Sequence, residues 1–203
     1  MTTNPTPPKK QGILTTNPTP PKKQGILTTN PTPPKKQGIL TPLAKLQEQF
    51  SVQIIETHAF RGDETAVVRP VSLRAIAQFL KETPELDFNF LMDVTAVDYL
   101  FYAGGRIQKE FRFEVVYHFF SLKFNHRIRV KVPVDEKFPE VDTLADLWAS
   151  ANWFEREVWD MYGIRFRGHP NLKRILMYEE FKGHALRKDY PVDRRQPLIG
   201  PEN

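Results

Sequence analysis

The sequence predicts an α+β fold: a two-layer sandwich with a mostly antiparallel sheet, helices on one face, and an extended C-terminal segment. Three observations predict it. Phe111, Phe113, Val115, Tyr117 and Phe119 alternate with Arg112, Glu114 and His118, the period of a half-buried strand. Ile128, Val130, Val132 and Val134 repeat that alternation against Arg127, Arg129 and Lys131. Adjacent strands with one polar face each imply an antiparallel sheet covered on one side. Apolar residues at helical spacing, Leu73, Ile76, Ala77 and Leu80, supply a covering helix.

In chain order, Leu43 to Phe50 suits a first helix. Val52–Thr57 and Ala66–Val68 suit two short strands around the turn Arg61-Gly62-Asp63. Ser72 can cap the helix that runs to about Lys81. Phe88 to Val97 reads as a strand, and Gly104-Gly105 marks a hairpin into the strand 111–120. Asp142 or Thr143 can cap a longer helix running to Tyr162 and ended by Gly163.

The 203 residues divide unevenly. Residues 2–14, 15–27 and 28–40 are the same thirteen residues three times, Thr-Thr-Asn-Pro-Thr-Pro-Pro-Lys-Lys-Gln-Gly-Ile-Leu. Each copy offers only an Ile and a Leu to a core, so residues 1–41 are expected to form a disordered tail with polyproline II character. Pro5-Thr-Pro-Pro8 fits the pattern that SH3 grooves bind, but a repeat expansion at a tolerant terminus is the plainer account. The tail carries six of the 29 basic residues and none of the 24 acidic ones. The remainder is therefore close to neutral, and the sequence pI of about 9.4 does not point to a nucleic-acid-binding face. Residues 42–176 form the expected domain and 177–203 the extended segment.

Cysteine is absent, which removes disulfides, thiolate zinc sites and cysteine-ligated iron–sulfur clusters. No apolar run reaches the roughly 20 residues needed to span a bilayer. The N-terminus resembles neither a secretory signal nor a transit peptide. A bacterial cytoplasmic protein, with any membrane association through a partner, is the expectation.

On the last helix, Leu144, Leu147, Trp148, Ala151, Phe154, Val158 and Tyr162 form one stripe, and Glu155 falls inside it. A carboxylate there needs an arginine or a set of donors. Glu155→Ala is accordingly expected to strand a buried basic partner. Trp153 points away from the stripe, flanked by Asp146, Glu157 and Asp160. That placement suggests cover by the chain's own C-terminal segment or by another protein.

The run Glu155-Arg156-Glu157-Val158-Trp159-Asp160-Met161-Tyr162-Gly163-Ile164, followed by Gly168-His169-Pro170-Asn171-Leu172-Lys173-Arg174-Ile175-Leu176, closely resembles the hallmark of the C subunit of bacterial NADH:quinone oxidoreductase, respiratory complex I. Three further pieces fit the same family. They are Phe88-Asn89-Phe90-Leu91-Met92-Asp93 with Asp98-Tyr99-Leu100, then Asp146-Leu147-Trp148 through Asn152-Trp153, then Gly183-His184 with Leu186-Arg187-Lys188-Asp189-Tyr190-Pro191. The resemblance covers about residues 43–193. Ala185 departs from the proline that family members often carry after Gly-His, and the end at Asn203 fits a separate polypeptide rather than a fusion with the D subunit.

The resemblance implies a scaffold without a cofactor of its own. It would sit in the peripheral arm, dock the D subunit that holds the quinone site, and seat the iron–sulfur subunits. NADH, FMN, the iron–sulfur clusters and quinone (ubiquinone or another) would be held by other chains of a proton-translocating complex. The complex would lie on the cytoplasmic side of the bacterial inner membrane. Glu155 to Leu176 would be the frame, and the chain from Met177 onward would run over the partner, poorly ordered alone. Arg174, Arg187, Lys188 and Asp189 are candidates for ion pairs within the frame or across the interface, while Pro170 and Pro191 keep the segment out of helix. The remaining motif positions, Trp153, Arg156, Glu157, Asp160, Gly163, Gly168, His169, Lys173, Gly183, His184 and Tyr190, are structural or interface candidates.

Two rivals stand beside this reading. The equivalent subunit of a membrane-bound hydrogenase, or of a quinone oxidoreductase with another electron donor, carries similar motifs. A metal-dependent hydrolase using Glu155, Glu157, Asp160, His169 and His184 has suitable ligand types. However, Glu155 and Glu157 lie about 200° apart on a helix and cannot face one ion.

Overall fold

The computed structural model describes residues 41–101 and 110–196. The repeated tail at 1–40, the Gly104-Gly105 turn and residues 197–203 lie outside the described residues.

Helix α1 spans Pro42–Phe50. Thr41 caps it, its hydroxyl accepting from the Ala44 amide at 3.3 Å, and Pro42 supplies the fixed φ of a first helical residue. Strands β1 (Ile54–Phe60) and β2 (Asp63–Val68) form an antiparallel hairpin. Its two turn residues, Arg61 and Gly62, both have positive φ, 54° and 89°, the backbone that matches strand twist in a two-residue loop. The strands are longer than the sequence suggested because the turn itself is shorter.

A short 3-10 turn, Pro70–Ser72, leads into α2, Leu73–Glu82. Ser72 sits at the N-cap position but makes no side-chain cap bond. The four predicted apolar positions of α2, Leu73, Ile76, Ala77 and Leu80, are fully buried. Strands β3 (Phe90–Asp98), β4 (Phe113–Ser121) and β5 (His126–Val134) follow.

The five strands form one sheet in the order β1-β2-β5-β4-β3. Three of its four pairings are antiparallel, and β2 with β5 is parallel. The sheet is thus mixed, a feature the alternation of single strands does not encode. One row across it places Ala66, Val130, Tyr117 and Val94 side by side, all buried. On the opposite face the neighbouring row is Thr65, Arg129, His118 and Asp93. There the Arg129 guanidinium donates to His118 Nε2 at 3.0 Å and to Thr65 Oγ1 at 3.3 Å. The helices share one core with the apolar face, built around Leu46, Leu73, Ile76, Phe113, Tyr117 and Phe119.

Helix α3 is shorter than predicted: it spans Ala151–Tyr162 rather than starting at Asp142 or Thr143. The chain at 140–142 is instead strand β6 (Glu140–Asp142), paired in parallel with β7 (Arg165–Arg167). That pairing demands extended backbone, and the Thr143 amide continues it by donating to the Arg167 carbonyl at 3.0 Å. The amides of Leu147 and Trp148 then both donate to the Leu144 carbonyl, turning the chain before α3 begins. Leu144 and Trp148 are buried as the stripe implied, but from a turn and not from the helix.

Candidate functional site

The signature residues gather around α3. A helix leaves its last four carbonyls without intrahelical donors, and here every one finds a partner. Gly163, at φ 76°, closes the helix and its amide donates to the Trp159 carbonyl at 2.8 Å. The next three carbonyls receive donors from the Gly-His-Ala-Leu-Arg run. His184 Nδ1 donates to Asp160 O at 3.0 Å, the Leu186 amide to Met161 O at 3.1 Å, and Arg187 Nε to Tyr162 O at 2.5 Å. The closeness of this run explains glycine at 163. An added Cβ would lie 2.5 Å from His184 Nε2 and 2.8 Å from an Arg187 terminal nitrogen.

Asp160 is fully buried inside the same knot. Its Oδ2 accepts from three consecutive amides, Ile175 at 3.1 Å, Leu176 at 2.9 Å and Met177 at 2.9 Å. Its Oδ1 accepts from Arg174 at 2.6 Å. Burial alone would push this carboxyl up, but the amides and the guanidinium outweigh it and hold it below the usual carboxylate range. Arg174 also donates to the carbonyls of Phe181 and Gly183 and lies between the rings of Trp159 and Phe181. One carboxylate therefore organises residues 174–183, which contain no helix or strand.

A second buried carboxylate, Asp98, holds the next stretch. It pairs with Arg112 at 3.0 and 3.1 Å and accepts from the amides of Leu100 and Lys188, each at 2.9 Å. Burial pushes Asp98 up, and these four donors bring it below the ordinary range. Arg112 in turn reaches Asp189 at 2.7 Å and Glu136 at 2.5 Å. Tyr190 stacks on Phe181 with centroids 5.8 Å apart, and its hydroxyl accepts from Gln196. The extended segment is thus pinned to its own domain as far as it is described, to Gln196, and the predicted ion pairs of Arg174 and Asp189 are internal. Neither Arg187 nor Lys188 makes an ion pair among the described residues. Their contributions are the bond to Tyr162 O and a backbone amide.

Glu155 corrects an expectation. Fully buried, it meets no basic group among the described residues; its partners are the Thr143 hydroxyl at 2.5 Å and the Leu144 amide at 2.7 Å. Burial pushes its carboxyl up to about 7, against the pull of those two donors. It fastens α3 to the turn after β6. Arg156, also buried, donates to the carbonyls of Lys173 and Arg174 and lies 5.0 Å from the Trp153 ring. Trp153 itself is 61% exposed, so the described part of the C-terminal segment, as far as Gln196, leaves it open. His169 uses both ring nitrogens, Nε2 donating to Asn152 O at 3.1 Å and Nδ1 accepting from the Asn171 amide at 3.0 Å. Burial depresses the pKa of His169, as it does that of His184.

Glu157, Gly168, Pro170, Lys173, Gly183 and Pro191 are exposed. The acids and imidazoles of the hydrolase rival thus point to separate partners. Among the described residues no three His, Asp or Glu side chains gather as a metal site. Sequence reasoning missed Arg112 and Thr143 as members of the frame. Arg112 was assigned by alternation to a wet face, and Thr143 was assigned to a cap; neither carried a signal of its long-range partner.

Residues 66–196 match the family described as respiratory-chain NADH dehydrogenase, 30 Kd subunit. The chain belongs to that family. It is 46% identical over 158 residues to the NADH-quinone oxidoreductase C subunit of Geotalea uraniireducens (strain Rf4), covering 77% of this chain and 91% of the relative. It is 48% identical over 152 residues to the corresponding C subunit of Roseiflexus castenholzii, covering 75% and 83%. Among solved structures, a trypsin-resistant fragment (1–134) of Nqo5 superposes with a TM-score of 0.56 at 34% identity, over 65% of this chain and all of the fragment. A chain from an archaeal membrane-bound sulfane sulfur reductase shares the fold, with a TM-score of 0.58 at 22% identity over 74% of this chain and 84% of that one. The protein is a member of the C-subunit family of NADH-quinone oxidoreductase, the respiratory complex I.

Proposed function

We propose that this chain is a structural subunit of the peripheral arm of a proton-translocating NADH:quinone oxidoreductase. It docks the quinone-site subunit and the iron–sulfur subunits and carries no electrons itself. The observation that supports this reading most is how the signature side chains are used. Asp160, Asp98, Glu155, Arg156, His169 and His184 are all engaged in fixing backbone of their own chain. A motif that builds shape in this way suits a rigid platform. The lack of cysteine is in keeping with clusters held by neighbouring chains. No helix among the described residues is long and apolar enough to cross a membrane, in keeping with peripheral attachment on the cytoplasmic side through partners.

The test is purification of the tagged chain from detergent-solubilised membranes, with NADH:quinone activity followed beside subunit content. Co-purification of the quinone-site and iron–sulfur subunits with NADH-dependent quinone reduction supports the reading. Hydrogenase subunits in their place would move the chain to the alternative complex. A solitary purified chain that reduces quinone would overturn the scaffold role.

A further inference from the structure

The five-stranded sheet has two edges, β1 and β3, and the chain finishes them differently. Helix α3 packs against β3, the Ser150 hydroxyl donates to the Leu91 carbonyl at 3.2 Å, and Asp98 at the far end of the strand is tied to Arg112 and to the Lys188 amide. Strand β1 has no such cover: among the described residues none of its backbone groups bonds outside the hairpin with β2.

The register shows which groups are left over. Phe60 and Asp63 flank the two-residue turn and exchange both of their backbone bonds, so Glu56, His58 and Phe60 turn their N–H and C=O groups toward β2. Thr57 and Ala59, between them, turn theirs outward. The usual blocks on a bare edge are few here. β1 has no proline and no lysine, Ile55 is 52% exposed and Phe60 67%, and the bulge between Ile54 and Glu56 leaves residues 56–60 regular.

What fits this edge is written in the strand itself. Set antiparallel to its own copy about Thr57, the run Ile54-Ile55-Glu56-Thr57-His58-Ala59-Phe60 is self-complementary. Ile54 meets Phe60, Ile55 meets Ala59, Glu56 meets His58, and Thr57 meets Thr57. Outward groups must meet outward groups, which Thr57 opposite Thr57 satisfies. A shift one way opposes Glu56 with Glu56, and a shift the other way opposes His58 with His58 and Glu56 with Phe60. Within the chain, Glu56 and His58 face the uncharged Val67 and Thr65 of β2. Their one ion-pair contact among the described residues is with each other, at 3.8 Å.

We propose that two unassembled copies of this chain pair antiparallel through β1, joining their sheets into one across a two-fold axis. This goes beyond the scaffold reading and does not depend on it. At the axis each Thr57 exchanges both backbone bonds with its copy. On either side a Glu56 carboxylate lies opposite a His58 imidazole, a pair that is hydrogen-bonded with the ring neutral and an ion pair with the ring protonated. The exposed Ile55 and Phe60 side chains are brought against Ala59 and Ile54 of the second copy. One strand pair buries a small area, so the association is weak and reversible.

Sedimentation equilibrium of the full chain over a wide concentration range tests this, with the melting temperature as a control on folding. The wild-type chain is expected to show a monomer–dimer equilibrium. Thr57→Pro removes an N–H that the hairpin with β2 does not use, and it is expected to abolish the dimer while keeping the fold. Thr57→Ala retains that N–H and is expected to stay dimeric. His58→Glu opposes two glutamates on each side of the axis and is expected to weaken the dimer about tenfold or more. Adding Glu56→His to it restores the complement in reverse and is expected to return the wild-type constant. If Thr57→Pro fails to fold, the two charge variants decide. A wild-type chain that stays monomeric throughout overturns the proposal, as does a dimer indifferent to both Thr57→Pro and His58→Glu. A double variant no tighter than His58→Glu overturns the paired register. If the isolated wild-type chain is monomeric and Thr57→Pro instead strips redox subunits from the tagged chain after detergent extraction, the edge belongs to a strand of a neighbouring subunit and the proposal falls.

Discussion

Replacing Asp160 by asparagine tests the frame with almost no change in volume. The wild-type carboxylate accepts from three amides and from Arg174 while fully buried. An asparagine can keep one oxygen toward the amides or toward the arginine, but its NH2 group then confronts donors on the other side. Either way, at least one charge-assisted bond is lost and a donor is left facing another donor. Charge-assisted bonds contribute about 1.5–3 kcal/mol each, and removing one partner of a buried pair costs about 3–5 kcal/mol. Arg174 retains two carbonyl partners, which places the expected loss near the lower end, about 3–4 kcal/mol. Urea unfolding of the isolated chain measures it as a shift in midpoint at constant slope. The pH dependence should change as well. Because the Asp160 carboxyl is held below its ordinary value, its stabilisation is present above the unfolded pKa of about 3.9 and is lost as pH falls through the folded value. The asparagine variant should lose that part of the acid dependence. Trypsin should also cut sooner at Lys173, Arg174 and Lys182. A loss below about 1 kcal/mol, with unchanged tryptic cleavage, would refute the view that this carboxylate organises the segment.

Three further outcomes are expected. Glu155 has its pKa raised to about 7, so its protonated form is favoured by folding and its contribution fades as pH rises from about 4.5 through 7. Relative to Glu155→Gln, the wild-type chain should lose roughly 3 kcal/mol across that window in denaturant titrations, and parallel curves would sink the assignment. Gly163→Ala should destabilise by at least about 2 kcal/mol by thermal unfolding, because it combines a left-handed backbone with displacement of His184 and Arg187. Deleting residues 2–40, which offer a core almost nothing, should leave the assembled complex at wild-type level on native gels.

The parts of the fold written locally were legible. The strand alternations at 113–121 and 126–134 and the stripe of α2 each state their own geometry, since side-chain period follows directly from backbone period. Pairing across the sheet did not follow from them. The parallel contact of β2 with β5 joins residues more than sixty positions apart, and nothing in either strand's alternation names its neighbour. The start of α3 failed for a related reason. Thr143 looks like a helix cap, yet strand pairing to residues 165–167 claims its amide and Glu155 claims its hydroxyl. At the site, the burial of Glu155 could be read from its phase on the helix. Its partner could not, because a backbone amide is present at every residue and leaves no mark in the sequence. The same blindness hid the two carboxylates that fasten amides of the C-terminal segment to its own domain.

The way α3 is closed bears on how the chain is made. A ribosome delivers residues in order, and the donors for the helix's final carbonyls come 24 and 25 positions after their acceptors. While those residues are still inside the exit tunnel, the carbonyls of Asp160, Met161 and Tyr162 lack the donors described above, and of the last four only that of Trp159 has its partner, the Gly163 amide. The nascent domain can assemble its sheet early, but this corner sets only when Arg187 emerges.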